Sequence, residues 1–228
     1  MKQDTTHVAQ PVEARRAEAV KDLGCADLVD AVGRIHQHRA HILDLVSPSP
    51  ARKLFGRAVT VSFFPTCTEL LDQGTYTFGR LFHEAMQGAA ADPAHTVLVL
   101  ASNGYPDVSM AGGTKLSRLS TQGLAGVVTD GRLRDFEELA DESYSAWCSG
   151  EAVSWGGGEV TPYLANVPVV LSGVGVHPGQ YIFCDSSGAV VISEADIDAV
   201  LDVAHQIRAE DAAFRSAIRS NNEDVEER

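Results

Sequence analysis

The stretch AGVVTDGRLRDFEEL, residues 125–139, reads as a strand that runs through a charged turn into a helix. Gly126-Val127-Val128-Thr129 is β-branched and almost continuously apolar, the pattern of a strand covered on both faces. Gly131 breaks the run. From Asp135 the spacing turns helical and the first turn carries acids, where the helix dipole favours negative charge. A buried strand feeding a helix is the repeating unit of an α/β sheet, and such sheets keep their chemistry in the loops beyond the strand ends. The stretch therefore predicts an α/β fold and puts Arg134, Asp135 and Glu138 at its working edge, with Asp130 just before the turn.

Working outward, the same units recur. Strands are predicted at 57–64 (RAVTVSFF), 96–101 (TVLVLA), 126–130 and 167–172, and QYIFCDSSGAVVI at 180–192 reads as a hairpin turned at Ser186-Ser187-Gly188. Helices are predicted at 13–22, 26–36, 78–90 and 114–122. A last helix is expected from an N-cap at Ser193, with Ile197, Val200, Leu201, Ala204 and Ile207 on one face. Residues 1–12 read as a polar arm and NNEDVEER, 221–228, as a disordered acidic tail, leaving 13–220 as a single domain.

Composition narrows the function classes. A formal net charge of −13, with no cluster of Lys and Arg, argues against a nucleic-acid partner. Four cysteines without CxxC spacing suit reduced thiols in a cytoplasmic protein. No apolar run approaches the roughly eighteen residues a membrane span needs.

Several constellations fail on inspection. GGTK at 112–115 lacks the first glycine of a phosphate loop, and SGVGVHPG at 172–179 lacks the dinucleotide spacing. His36, His38 and His41 lie close together, but no neighbouring acid or cysteine completes a metal set. Lys115, in a glycine-rich loop, could form a Schiff base.

The two glycine junctions make better sense together. Gly112-Gly113-Thr114-Lys115-Leu116 offers backbone amides at the start of a helix, a seat for a carboxylate or phosphate. Neighbouring strand ends would bring that seat, the Arg134 guanidinium and the Asp135 carboxylate into one crevice able to bind an oxoacid and a divalent metal. On spacing alone, Arg134 and Glu138 also suit an exposed i, i+4 ion pair, and Asp130 a turn cap.

Gly113, twenty residues, Arg134-Asp135, two residues and Glu138 form a spacing that resembles the RraA-like proteins, which include the class II 4-hydroxy-4-methyl-2-oxoglutarate aldolases. ADLVDAVGR at 26–34, GRAVTV at 56–61 and GVGVHPGQYIFCDSSGAVVI at 173–192 extend the resemblance over most of the domain. It implies stacked β/β/α layers of the swivelling-domain type, trimers or hexamers with sites at subunit boundaries, and a Mg²⁺ or Mn²⁺ ion held through Asp135 and waters. The ion would chelate the carboxylate and keto oxygens of a pyruvyl group, with a metal-bound water as acid and base. The 112–116 amides would hold the carboxylate, and Arg134 would stabilise the enolate formed in aldol cleavage or decarboxylation. Asp130 is a further supporting candidate.

Some members of the family lack the terminal acid and regulate a ribonuclease by binding it; Glu138 is present here and favours the enzyme. Other features depart from the pattern. The loop reads Gly-Gly-Thr-Lys-Leu and adds Arg118, where the family loop is mostly apolar; Gln180 follows Pro178-Gly179 in place of Asp. The 63–86 segment is rich in aromatics and lacks the usual Asp-Asn, so a changed substrate pocket is expected.

Overall fold

The computed structural model describes residues 11–89 and 92–226. In chain order the strands are β1 (His41–Ile42), β2 (Leu54–Pro65), β3 (Thr96–Ala101), β4 (Ser109–Ala111), β5 (Gly126–Thr129), β6 (Arg132–Leu133), β7 (Ser145–Trp147), β8 (Val160–Ala165), β9 (Val169–Leu171), β10 (Val174–Val176), β11 (Tyr181–Asp185) and β12 (Gly188–Ile192). The helices are α1 (Val12–Ala19), α2 (Cys25–Ile35), α3 (Phe78–Gln87), α4 (Gly113–Gln122), α5 (Phe136–Asp141) and α6 (Ile197–Glu226).

One mixed sheet organises the molecule, in the order β1-β12-β11-β2-β3-β5-β7, with β8 added to β2. Its centre, β2-β3-β5-β7, is parallel, because α3, α4 and α5 each provide a crossover between successive strands. Alternation along these strands separates two cores. Leu98 and Leu100 join Val59, Val61 and Phe63 beneath Phe82 of α3 and Leu116 of α4. Val97 and Val99 face the opposite way, against Val169, Leu171, Val174 and Val176 of the β9–β10 ribbon. The layers are thus ribbon, sheet and helices, as the family resemblance implies. A third core, between β11–β12 and the pair α2 and α6, buries Phe183, Ile192, Leu28 and Val200.

The ribbon turns at Ser172 and Gly173, both at positive φ (48° and 82°), as a two-residue hairpin of this hand requires. The strand expected at 167–172 is therefore the first arm of this separate ribbon. The last helix also begins later than expected. Ser193 Oγ accepts from the Asp196 amide in a preceding turn, and α6 starts at Ile197. At the other end α6 continues to Glu226, so the expected tail is helical through that residue; extending an established helix costs little per residue. The arm expected at 1–12 lies outside the described residues as far as position 10.

Candidate functional site

Two short parallel strands stitch the glycine junctions together. After β3 the chain passes through β4 into α4; after β5 it passes through β6 into α5. β4 and β6 pair with Ser109 opposite Arg132 and Ala111 opposite Leu133, and the Arg134 amide donates to Ala111 O at 3.0 Å. This register sets Gly112-Gly113 beside Arg134-Asp135, so the twenty-residue interval is the length of α4, β5 and their turns.

Asp135 holds a left-handed backbone (φ 66°) at the N-cap position of α5, yet its side chain makes no cap there. Its Oδ2 instead accepts the Gly113 amide at 2.9 Å, at the N-terminus of α4, where the dipole supports negative charge. The Phe136 amide of α5 is capped by Glu151 Oε1 at 3.1 Å, which leaves Asp135 available to the site. Glu151 has no sequence signal, because the tertiary fold alone brings it there. Glycine leaves room for carboxylates at both junction positions: a Cβ on Gly112 would lie 2.5 Å from Asp135 Oδ2, and one on Gly113 would displace the Glu138 carboxylate. The final acid of the spacing thus packs against its first glycine.

The cavity, of about 190 Å³, is lined by Gly112, Thr114, Lys115, Arg134, Asp135 and Trp155, with Ser109 and Ala111 behind them. Arg134 Nε stands 4.0 Å from Asp135 Oδ1, a loose pairing between half-exposed groups. Lys115 Nζ lies 5.4 Å from the centre of the Phe78 ring. Burial, and then the charges of Arg134 and Arg118, hold its pKa below the ordinary lysine value.

Three expectations change. The loop is a partial seat, because the Gly113 amide is taken by Asp135 and those of Lys115 and Leu116 donate to Gly112 O, leaving Gly112 and Thr114 as the loop's lining residues whose amides are outside these bonds. Leu116, expected to bind substrate, is fully buried in the helix-side core and supports the loop from beneath. Asp130 is a clamp: its carboxylate accepts the amides of Ser102 at 2.7 Å and Ser172 at 3.2 Å, away from this cavity, while the turn at Gly131 is capped by Thr129 Oγ1. Glu138 pairs with no cation in the ion pairs of the described residues.

A divalent ion would find Asp135 Oδ1, the carboxylate oxygen not bonded to the Gly113 amide and only loosely paired with Arg134. Among the described residues no group of three His, Cys, Asp or Glu side chains converges on a metal position, and the three histidines at 36–41 form none. A single carboxylate completed by water fits Mg²⁺ or Mn²⁺ and disfavours a zinc-type cage.

Fold and site define a class. The RraA-like pattern, Aldolase/RraA, matches residues 25–191, and the chain belongs to that family. It is 26% identical over 197 residues to DlpA of Legionella pneumophila, covering 86% of this chain and 30% of DlpA. It is 31% identical over 129 residues to a protein of Halalkalibacterium halodurans provisionally named 4-hydroxy-4-methyl-2-oxoglutarate aldolase, covering 55% of this chain and 59% of that one. The chain thus spans less than two thirds of these relatives. Among solved structures, Streptomyces coelicolor RraAS2, described as an unusual member of the RNase ES inhibitor RraA family, superposes with a TM-score of 0.76 at 22% identity over 89% of this chain and 98% of its own. That likeness concerns the fold. No described helix is long and apolar enough to cross a membrane.

Proposed function

We propose that this chain is a divalent-metal-dependent carbon–carbon lyase, acting on an oxoacid by aldol cleavage or decarboxylation through a pyruvate enolate. The observation that carries the reading is the bond from the Gly113 amide to Asp135 Oδ2, which fixes the carboxylate beside Arg134 in one cavity with Thr114 and Lys115. Asp135 Oδ1 would hold Mg²⁺ or Mn²⁺, which when bound supplies Lewis-acid polarisation of the keto group. The Thr114 amide and the Lys115 ammonium would take the substrate carboxylate. Arg134 would face the keto oxygen. As the C3–C4 bond breaks, its electron pair becomes the enol double bond and negative charge collects on that oxygen, where a fixed guanidinium lowers the barrier without reorganising. In aldol cleavage water would take the proton of the C4 hydroxyl as that carbon becomes a carbonyl; in decarboxylation the C4 carboxylate leaves as carbon dioxide. Water then protonates C3 and releases pyruvate, with the second carbonyl compound or carbon dioxide as the other product.

The relative named as an aldolase supports this reading. Self-association as a trimer or hexamer belongs to it: Trp155, on the cavity wall, is 61% exposed, apolar surface that a neighbouring copy would cover. The test is pyruvate release from oxaloacetate. Turnover is expected with Mg²⁺, lost with EDTA and restored by Mn²⁺; a purified, folded protein that never turns over would favour a binding regulator.

A further inference from the structure

Beside the Asp135 cavity lies a second one, of about 160 Å³, and the two share Ser109, Lys115 and Trp155 as a common wall. Its remaining surface is mixed, with the rings of Phe63, Tyr76 and Phe78 joined by Val160 and Pro162, and Gln73, Thr77 and Thr161 adding polar groups. These residues come from different parts of the chain. Phe63 lies on β2 at a register shift against β8, and Phe78 opens α3. Tyr76 belongs to a turn built on Asp72, whose carboxylate accepts the amides of Gly74 and Thr75. The same turn is tied across the cavity by Gln73, whose Nε2 donates to Gly157 O at 2.9 Å. The walls are therefore held by backbone and side-chain bonds, and the space between them is built into the fold.

We propose that this cavity is the specificity subsite of the site described above, and that the substrate is an oxoacid whose far end carries a planar apolar group, an aromatic ring foremost. The inference rests on the lyase reading for which end is the head: the oxoacid lies against Arg134 and Asp135, and its tail passes Lys115 and Trp155 into the aromatic chamber. Size agrees, since a cavity of about 150 Å³ is enough for a benzene-sized ring. Lining agrees as well. Four rings in one lining, Phe63, Tyr76, Phe78 and Trp155, suit a flat apolar guest through offset and edge-to-face contacts, whereas a small dicarboxylate such as oxaloacetate would leave them wet.

The test is calorimetric binding of pyruvate and phenylpyruvate to the full chain with Mg²⁺, alongside turnover of oxaloacetate and of an aryl-tailed aldol substrate, 4-hydroxy-2-oxo-4-phenylbutanoate. Phenylpyruvate is expected to bind at least about tenfold more tightly than pyruvate, the order that burying one ring contributes. Tyr76→Ala and Trp155→Ala are each expected to lower the ratio of kcat/KM for the aryl substrate to that for oxaloacetate by roughly tenfold. Equal affinity for the two oxoacids, measured on the wild type and so independent of how the variants fold, would overturn the proposal. Tighter phenylpyruvate binding without any turnover would uphold the subsite and remove the lyase reading. Turnover of oxaloacetate with equal affinities would do the reverse.

Discussion

Arg134, Gly112 and Lys115 carry distinct demands, and each can be varied alone. Arg134→Lys keeps the charge and loses the planar fork, so kcat on oxaloacetate is expected to fall about 10²–10³-fold, the scale of one transition-state donor. An intact kcat with a raised KM would reassign Arg134 to ground-state binding. Gly112→Ala puts a methyl 2.5 Å from Asp135 Oδ2 and must displace that carboxylate. A shift of this size costs catalysis up to about a hundredfold, while melting should move little. A variant of normal activity would mean that the carboxylate position is immaterial. Lys115 is held below its ordinary pKa chiefly by burial, so its ammonium costs folding free energy. That cost is present in full below the folded pKa and is relieved as pH rises from there toward the ordinary lysine value. Lys115→Met is therefore expected to raise stability at neutral pH while raising KM for an oxoacid about ten- to a hundredfold. A destabilised variant with unchanged KM would contradict both statements.

Short elements govern how much of this was readable. The longer strands and helices follow from periodicity, and the Gly113, Arg134, Asp135 and Glu138 spacing is visible because glycines and charges punctuate the chain. β4 and β6, three and two residues long, carry no periodicity, yet their pairing is what brings the two junctions together. β8 is hard to read from sequence because Pro162 interrupts the strand pattern; it sits at the register shift opposite Phe63, where a missing N–H is tolerated. α1 is docked by another contact invisible in sequence. Glu13 accepts from Tyr181 Oη at 2.8 Å and from Arg57 Nε at 2.9 Å, and Arg16 of the same helix reaches Asp198. Glu13→Ala would leave the Tyr181 hydroxyl and two guanidinium groups without this acceptor, at about 1–3 kcal/mol. The melting temperature should drop by about 2–4 °C per kcal/mol for a domain of this size. An unchanged melt would show that α1 contributes nothing to stability.

For the molecule as a whole, three βαβ crossovers direct their loops to one edge of the sheet, and the ribbon and α2–α6 close the remaining faces. This leaves a cavity where a helix N-terminus, a guanidinium and the Asp135 carboxylate meet, with a chamber carrying four aromatic rings alongside. The layer order was legible through the family spacing; the chamber was legible only as an aromatic-rich segment at 63–86, since its walls assemble from β2, the Asp72 turn and the Trp155 loop. The central claim is that Asp135 makes this edge a metal-assisted oxoacid site. Its most direct test is Mn²⁺ titration, followed by electron paramagnetic resonance, of the wild type and Asp135→Asn in the presence of oxalate, a planar dianion shaped like the pyruvate enolate. Asn tolerates the left-handed backbone at this position and can still accept the Gly113 amide, so the fold should be unaffected. The account predicts saturable binding of one ion per chain in the wild type and roughly a hundredfold weaker binding in Asp135→Asn, an upper-range loss for removing the charge that holds a hard cation. Equal Mn²⁺ affinity in the two proteins would contradict it.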